Sequence, residues 1–274
     1  MYKLWPTILS FIVVAFLPSI AQSQPAEVAP EWNIRIGGGA MFAPSFLGSK
    51  EYQLLALPNI QIAYGNVLEA SVQRGLRYNL LRTGKFTAGP IAKLDFGRQE
   101  DGSAAFRVAG KASTALLGMG NVRATIELGG FFTYAQGPFR ATLELRQGTN
   151  GHRGLIGEAG INYTRRVSTQ GIGTIFSIGP RMGFSDSDYA QTFFGINAAQ
   201  SAGSGLAAFN AGGGINSYGL GSTAVLLFSE RFSVTLLARF DRLVGDAERT
   251  PVVRERGSAN QALVGLFLTY TLFR

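Results

Sequence analysis

The sequence predicts an all-β protein: a transmembrane, antiparallel, up-and-down β-barrel of about twelve strands, with fourteen as the runner-up count. Three observations predict it. The first is the chain's end. In Val264–Arg274, Val264, Leu266, Leu268, Tyr270 and Leu272 share one face, and Gly265, Phe267, Thr269, Thr271 and Phe273 share the other. On an open sheet so apolar a terminal strand would invite aggregation. A membrane barrel pairs its last strand with its first and leaves no such edge. The second observation is length: the alternating segments mostly run to about ten to thirteen residues. That suits a tilted membrane strand of ~9–11 residues better than a globular strand of ~5–6. The third is that the chain begins like an exported protein.

Met1–Ala21 carries Lys3, an apolar run from Ile8 to Leu17, and the small residues Ser19 and Ala21. This predicts a signal peptide cleaved after Ala21, a short periplasmic segment over 22–31 and a single barrel domain over 32–274. The apolar run is too short to span ~30 Å of hydrocarbon, and no later stretch approaches the ~20 apolar residues of a spanning helix. An inner-membrane helical protein is excluded. The absence of Cys excludes a disulfide-stapled secreted domain. The net charge of +8 comes from basic residues scattered singly along an exported chain, which excludes a nucleic-acid partner. The expected location is the outer membrane of a Gram-negative bacterium, with lipid as the first partner.

The strands follow in order. In Trp32–Phe42, Trp32, Ile34, Ile36, Ala40 and Phe42 oppose Asn33 and Arg35. Leu54–Tyr64, Leu68–Tyr78, Phe86–Gly97 and Ala124–Tyr134 come next. The cleanest alternation is Phe139–Arg146, where Phe139, Ala141, Leu143 and Leu145 oppose Arg140, Thr142, Glu144 and Arg146. Leu155–Arg166, Ile172–Ser185, Ala207–Ser217, Leu220–Ser229, Phe232–Asp241 and the terminal strand complete the twelve. Two stretches read both ways. Gly102–Val122 holds a possible strand at Phe106–Ala109 and a possible helix at Lys111–Met119; Asp186–Gly205 holds a possible strand at Tyr189–Asn197. Trp32, Tyr64, Tyr78, Tyr134, Tyr163 and Tyr270 fall near strand ends, as interfacial girdles require.

The polar faces carry Arg35, Glu69, Arg77, Lys93, Asp95, Glu127, Arg140, Glu144, Arg146, Glu158, Arg181, Arg239 and Asp241. Charge facing lipid costs about 2–4 kcal/mol at the midplane, so these residues are expected to line the lumen. They fit two arrangements equally: a plug of Arg–carboxylate pairs, or a narrow channel with mild anion preference. No catalytic, cofactor or metal site is expected. His152 is the single histidine, in the turn Thr149–Gly154, and no serine stands beside it as a nucleophile. One His and no Cys leave only dispersed carboxylates for a metal. Gly37–Gly39 and Gly212–Gly214 lack the strand–turn–helix context of a phosphate loop and suit bends or close packing in the wall.

Several motifs in succession resemble the MipA/OmpV family of outer-membrane proteins. Gly37-Gly38-Gly39-Ala40 runs into Pro44-Ser45-Phe46-Leu47-Gly48-Ser49; Glu127-Leu128-Gly129 and His152-Arg153-Gly154 follow. Then come Asp188-Tyr189, Phe193-Phe194-Gly195-Ile196, Ser204-Gly205-Leu206, Arg242-Leu243-Val244-Gly245-Asp246-Ala247 and Pro251-Val252-Val253. Phe46 and Phe193 replace a frequent Tyr, Thr250 replaces a frequent Ser, and Phe273-Arg274 extend past the family's usual ending, which places the end of the last strand at Leu272. The resemblance implies an outer-membrane barrel. Some relatives are described as scaffolds joining a murein-degrading lytic transglycosylase to a murein synthase, others as porin-like or adhesive. A murein hydrolase or synthase is therefore an expected partner, and a passive porin for small polar or anionic solutes is the alternative. In the twelve-strand count, Gly102–Val122 and Asp186–Gly205 fall on the periplasmic side. Tyr189, Phe193 and Phe194 are then candidate docking residues there, unless they pack under the barrel mouth.

Overall fold

The computed structural model describes residues 31–169 and 171–273; the expected signal peptide and residues 22–30 lie outside the described residues. The strands are β1 (Trp32–Pro44), β2 (Tyr52–Tyr64), β3 (Leu68–Ser71), β4 (Gly75–Tyr78), β5 (Leu81–Thr83), β6 (Phe86–Asp95), β7 (Arg107–Ala109), β8 (Thr125–Gln136), β9 (Phe139–Gly148), β10 (Leu155–Thr169), β11 (Ile172–Ser185), β12 (Gly214–Leu227), β13 (Phe232–Leu243) and β14 (Asn260–Phe273). Four short helices lie between them: α1 (Ser187–Phe194), α2 (Ala198–Ser204), α3 (Asp246–Arg249) and α4 (Pro251–Arg256). Antiparallel pairing runs from strand to strand, and β1 closes the ring by pairing with both β2 and β14. Because β4 and β5 share the partner β6, they form one broken strand, and β7 pairs only with the end of β2, so the barrel has twelve.

The terminal alternation is realised as expected. Val264, Leu266, Leu268, Tyr270 and Leu272 are exposed on the outer wall, while Phe267 and Thr269 are buried inside. Phe42 opposes Val264 and Gly37 opposes Thr269 across the closure. The strand does not stop at Leu272: Phe273 still pairs with Ile34. Outward apolar side chains continue around the ring, among them Ile36, Leu94, Leu128, Leu143, Ile161, Phe176, Leu220 and Leu236. In water such a wall would precipitate; it is stable only against hydrocarbon, so this is an outer-membrane barrel. An aromatic girdle marks one rim. Trp32 meets Tyr64 at 4.8 Å, Phe86 meets Tyr134 at 5.0 Å, and Phe139 meets Tyr163 at 5.4 Å.

Two expected strands are different. Leu68–Tyr78 is a hairpin, β3 with β4, because Gly75 takes a left-handed φ of 74° and lets the chain reverse after Ser71. Ala207–Ser229 is one strand, β12, rather than two, its first seven residues lying in a connection above the wall. The two changes cancel in the strand count but reverse the direction of every strand between them. Consequently the long connections 96–124, 149–154, 186–213 and 244–259 all gather at the end opposite Trp32 and Phe273 (the loop end). Short turns occupy the end that holds those two residues (the turn end). Gly102–Val122 and Asp186–Gly205 are thus not on the side of the chain ends, as the sequence had suggested. In the first, Arg107–Ala109 adds to the loop-end part of β2, and Lys111–Met119 forms turns instead of a helix. In the second, the expected strand is replaced by α1 and α2.

Candidate functional site: a paired charge belt between a packed cap and an open vestibule

The apolar core of this protein lies in its loops. Tyr189, Phe193 and Phe194 of α1 pack with Val122, Ala211, Leu243, Ala247 and Val253. Beside them Phe46, Leu116, Met119, Ile196, Leu206 and Val252 form a second buried group. The three aromatics, candidates either for docking or for packing under the barrel mouth, are buried in a cap over the loop end, at 5, 7 and 1 % exposure, and offer no docking surface. Local sequence explains why α1 forms. Asp186 caps it, its Oδ1 accepting from Tyr189 N at 2.9 Å while its Oδ2 accepts from Leu155 N at 2.8 Å, which ties the helix to β10.

Side chains stitch the cap to itself. Arg98 donates from Nη1 to Phe193 O at 2.7 Å and from Nη2 to Thr192 O at 3.4 Å, placing a cation at the carbonyl end of α1. Burial pushes that guanidinium down to about 10, with Tyr189 acting in the opposite direction. Thr250, fully buried, donates to Phe194 O at 2.6 Å. Gln200 donates to Met119 O at 2.7 Å, and Arg256 reaches Ala115 O at 3.1 Å and Ser204 O. Burial pushes the Tyr189 phenol well above its ordinary range, aided by the carboxylates of Asp95, Glu127 and Glu158.

Beneath the cap a belt of ion pairs runs along the inner wall of the lumen. Glu144 binds Lys93 at 2.7 Å, Arg146 at 2.8 Å and Arg77 at 3.5 Å. Arg146 also donates to Glu127 at 2.7 Å and to Glu158 at 2.9 Å. Arg181 continues the chain from Glu158, at 2.6 Å, to Asp241, at 3.0 Å, and Arg239 closes on the same carboxylate. Arg77 in addition stacks over Phe131, its guanidinium carbon 3.9 Å from the ring centroid. The belt therefore spans β4, β6, β8, β9, β10, β11 and β13. Register explains it: Glu158 opposes Glu144, Gly129 opposes Arg146, and Arg181 opposes Gly219. Each pair joins strands whose inward residues fall at one height.

His152 sits at the top of this belt, buried at 1 % exposure. Its Nε2 is 3.0 Å from Glu127 Oε1, and its ring meets Tyr189 and Phe193 edge-on. Thr125 Oγ1 accepts from the His152 backbone N–H, so this hydroxyl is not presented to the ring as a nucleophile. Asp95, Glu127 and His152 bring one ligand atom each within 4.8 Å of one another. That set does not fit a metal, because Arg146 already occupies Glu127 Oε2 and His152 faces its Oε1. Two of the expected lumen residues lie elsewhere: Arg35 and Glu69 line a cavity of about 490 Å³ toward the turn end. Arg140 stands beside Asn162 at the same end, exposed. A second cavity, of about 320 Å³, lies against the belt and is lined by Gly160, Gly179 and Gly221 together with Lys93, Arg181 and Arg239.

Sequence reasoning missed the cap residues Arg98 and Thr250, and it left His152 as an ordinary turn residue. The signal for His152 was present in its glycine neighbours. A Cβ at Gly148 would lie 2.5 Å from His152 Nδ1, and one at Gly154 would strike Tyr189, so the ring is built into a fitted seat.

A family model described as "MltA-interacting protein MipA" matches residues 36–272. The chain belongs to the MipA family. No curated protein matches it. Among solved structures, the MipA chain is similar to the COG4313 outer membrane channel from Pseudomonas putida F1, at TM-score 0.41 and 11% identity over 94% of this chain and 100% of that one. An anion-selective porin from Comamonas acidovorans matches at TM-score 0.31 and 11% identity, over 89% and 99%. Neither likeness is close enough to transfer a residue or a role to the MipA chain.

Proposed function

We propose that this MipA-family protein is a non-enzymatic, non-conducting outer-membrane barrel that works as a cell-envelope scaffold from its turn end. The observation that carries this reading is the asymmetry of the lumen. The loop end is filled by a cap with its own apolar core, and the belt below it pairs its charges along the inner wall. The turn end holds open space. Outer-membrane barrels put short turns in the periplasm and long loops outside, so the open end faces the compartment where murein is built and cut. The family's description names an interaction with MltA, and a murein-processing enzyme is the partner this reading adopts. Detergent-folded protein immobilised by a loop-end tag should retain such an enzyme from a periplasmic extract. Failure to retain any murein hydrolase or synthase, with the barrel demonstrably folded, would overturn the scaffold role.

A passive channel is the second reading. The two cavities share Thr223 and Leu237 in their walls. Displacement of the cap would then open a polar path for small or anionic solutes, with Lys93, Arg181 and Arg239 along it.

A further inference from the structure

Charge is distributed differently in the two halves of the lumen. In the belt, the cations Arg77, Lys93, Arg146, Arg181 and Arg239 all touch a carboxylate. Toward the turn end the balance fails. Arg35 and Arg74 line the cavity of about 490 Å³, together with Asn33, Asn59 and Gln61. Three more arginines do not line this cavity, but strand register turns them inward at the same end of the bore: Arg82 opposes Thr87, Arg140 opposes Asn162, and Arg166 follows Thr164, whose hydroxyl meets Ser177. The one acid lining the cavity is Glu69, and Arg74 engages it at 3.4 Å. Arg35, Arg82, Arg140 and Arg166 have no ion-pair or hydrogen-bond partner among the described residues.

Four unpaired guanidinium groups around one bore repel one another, and a lipid-embedded wall focuses their field instead of dispersing it. Solvation and an anion are the two ways to relieve that repulsion, and only the anion does so with a net gain in charge pairing. We infer that the turn-end vestibule is a binding site for a multivalent oxyanion, a molecule carrying two or more carboxylate or phosphate groups. Guanidinium is the side chain whose planar donor fork matches both groups bidentately. Multivalency follows from placement: the four arginines stand on β1, β5, β9 and β10, so a single-charged ion meets one of them while a branched or extended anion bridges several. The amides of Asn33 and Gln61 add neutral hydrogen bonds to the wall. This site goes beyond the scaffold role, because it requires neither a protein partner nor a conducting path.

The test is isothermal titration calorimetry on the full-length, detergent-folded protein, with citrate and with pyrophosphate as probes at constant ionic strength set by chloride. The expected result is saturable binding of at least one probe, near one per barrel. Citrate alone identifies a carboxylate site, pyrophosphate alone a phosphate site. The triple variant R35Q/R140Q/R166Q should bind at least tenfold more weakly, while R153Q, on the loop end, should match the parent. Heat-modifiable electrophoretic mobility checks that each variant is folded; should the triple variant fail that check, the single variants R35Q and R140Q replace it. Saturable binding by neither probe, or a folded variant that binds as the parent does, would overturn the site.

Discussion

Arg181 reaches Asp241 across an intervening strand, at 3.0 Å, because the residue that lies between them is Gly219. Arg181 is on β11 and Asp241 on β13; Gly219 of β12 opposes both. A Cβ at Gly219 would fall 2.5 Å from Asp241 Oδ1 and 2.0 Å from Phe240 O. The belt is continuous at this point only because one side chain is missing. Gly219→Ala should therefore destabilise the barrel by about 1–3 kcal/mol, the usual cost of overpacking. Urea unfolding followed by the loss of heat-modifiable mobility reads it; an unchanged midpoint would show that the close approach has no energetic weight.

Arg146 is the hub of the belt, contacting Glu127, Glu144 and Glu158 with its side chain only 3% exposed. Arg146→Met keeps length and apolar packing but leaves Glu127 with His152 as its one remaining partner and removes a cation from Glu144 and Glu158. Stranding buried charge in this way costs about 3–5 kcal/mol. The expected outcome is a large fall in the urea midpoint, partly recovered in R146M/E127Q. Equal stability of parent and single variant would mean that water, not pairing, solvates these carboxylates.

Thr250 donates from full burial to Phe194 O at 2.6 Å, and Phe194 is itself buried in the cap at 1 % exposure. Thr250→Val preserves shape and leaves that carbonyl without its side-chain donor, at about 1–3 kcal/mol. Limited proteolysis within 186–213 should accelerate while the barrel wall stays resistant. Identical digestion of parent and variant would place the cap's stability elsewhere.

Much of this was legible before the structure, and the limits have physical causes. Period-two alternation showed the wall, because each strand has lipid on one side and polar lumen on the other. The inward charges were identifiable by the cost of facing lipid, and nine of them form the belt. Which charge meets which was not legible, since Arg181 and Asp241 are 60 residues apart and meet only through the register of three strands. The total of twelve strands was reached through two opposite errors. Gly75 reverses the chain inside what reads as one strand, while Ala207–Gly213 continues an apolar pattern without joining the wall. Those errors also inverted the long connections, so Tyr189, Phe193 and Phe194 read as a periplasmic surface although they form the cap. The segment of α1 read as a possible strand at Tyr189–Asn197, and what covers the helix's apolar face comes from residues such as Val253 and Leu243, far along the chain.

Tyr189 provides a pH test of the cap. Its phenol is raised from an ordinary 10.0, first by burial and then by nearby carboxylates. The folded state keeps this proton where the unfolded chain gives it up, so the contribution is complete below pH 10 and is lost as pH rises beyond it. Stability should fall across alkaline titration, and Tyr189→Phe should shift that limb to higher pH without altering it at pH 7. A parallel alkaline limb in both proteins would assign the effect to other groups.

The central claim is that cap and belt together close the bore, and planar-bilayer recording tests it most directly. Folded protein inserted into a bilayer should give no stable, stepwise current at moderate voltage, whereas deletion of 187–212 combined with R146A should open a salt-dependent conductance. Stable, stepwise, salt-dependent openings from the unaltered, folded barrel would contradict the closed lumen.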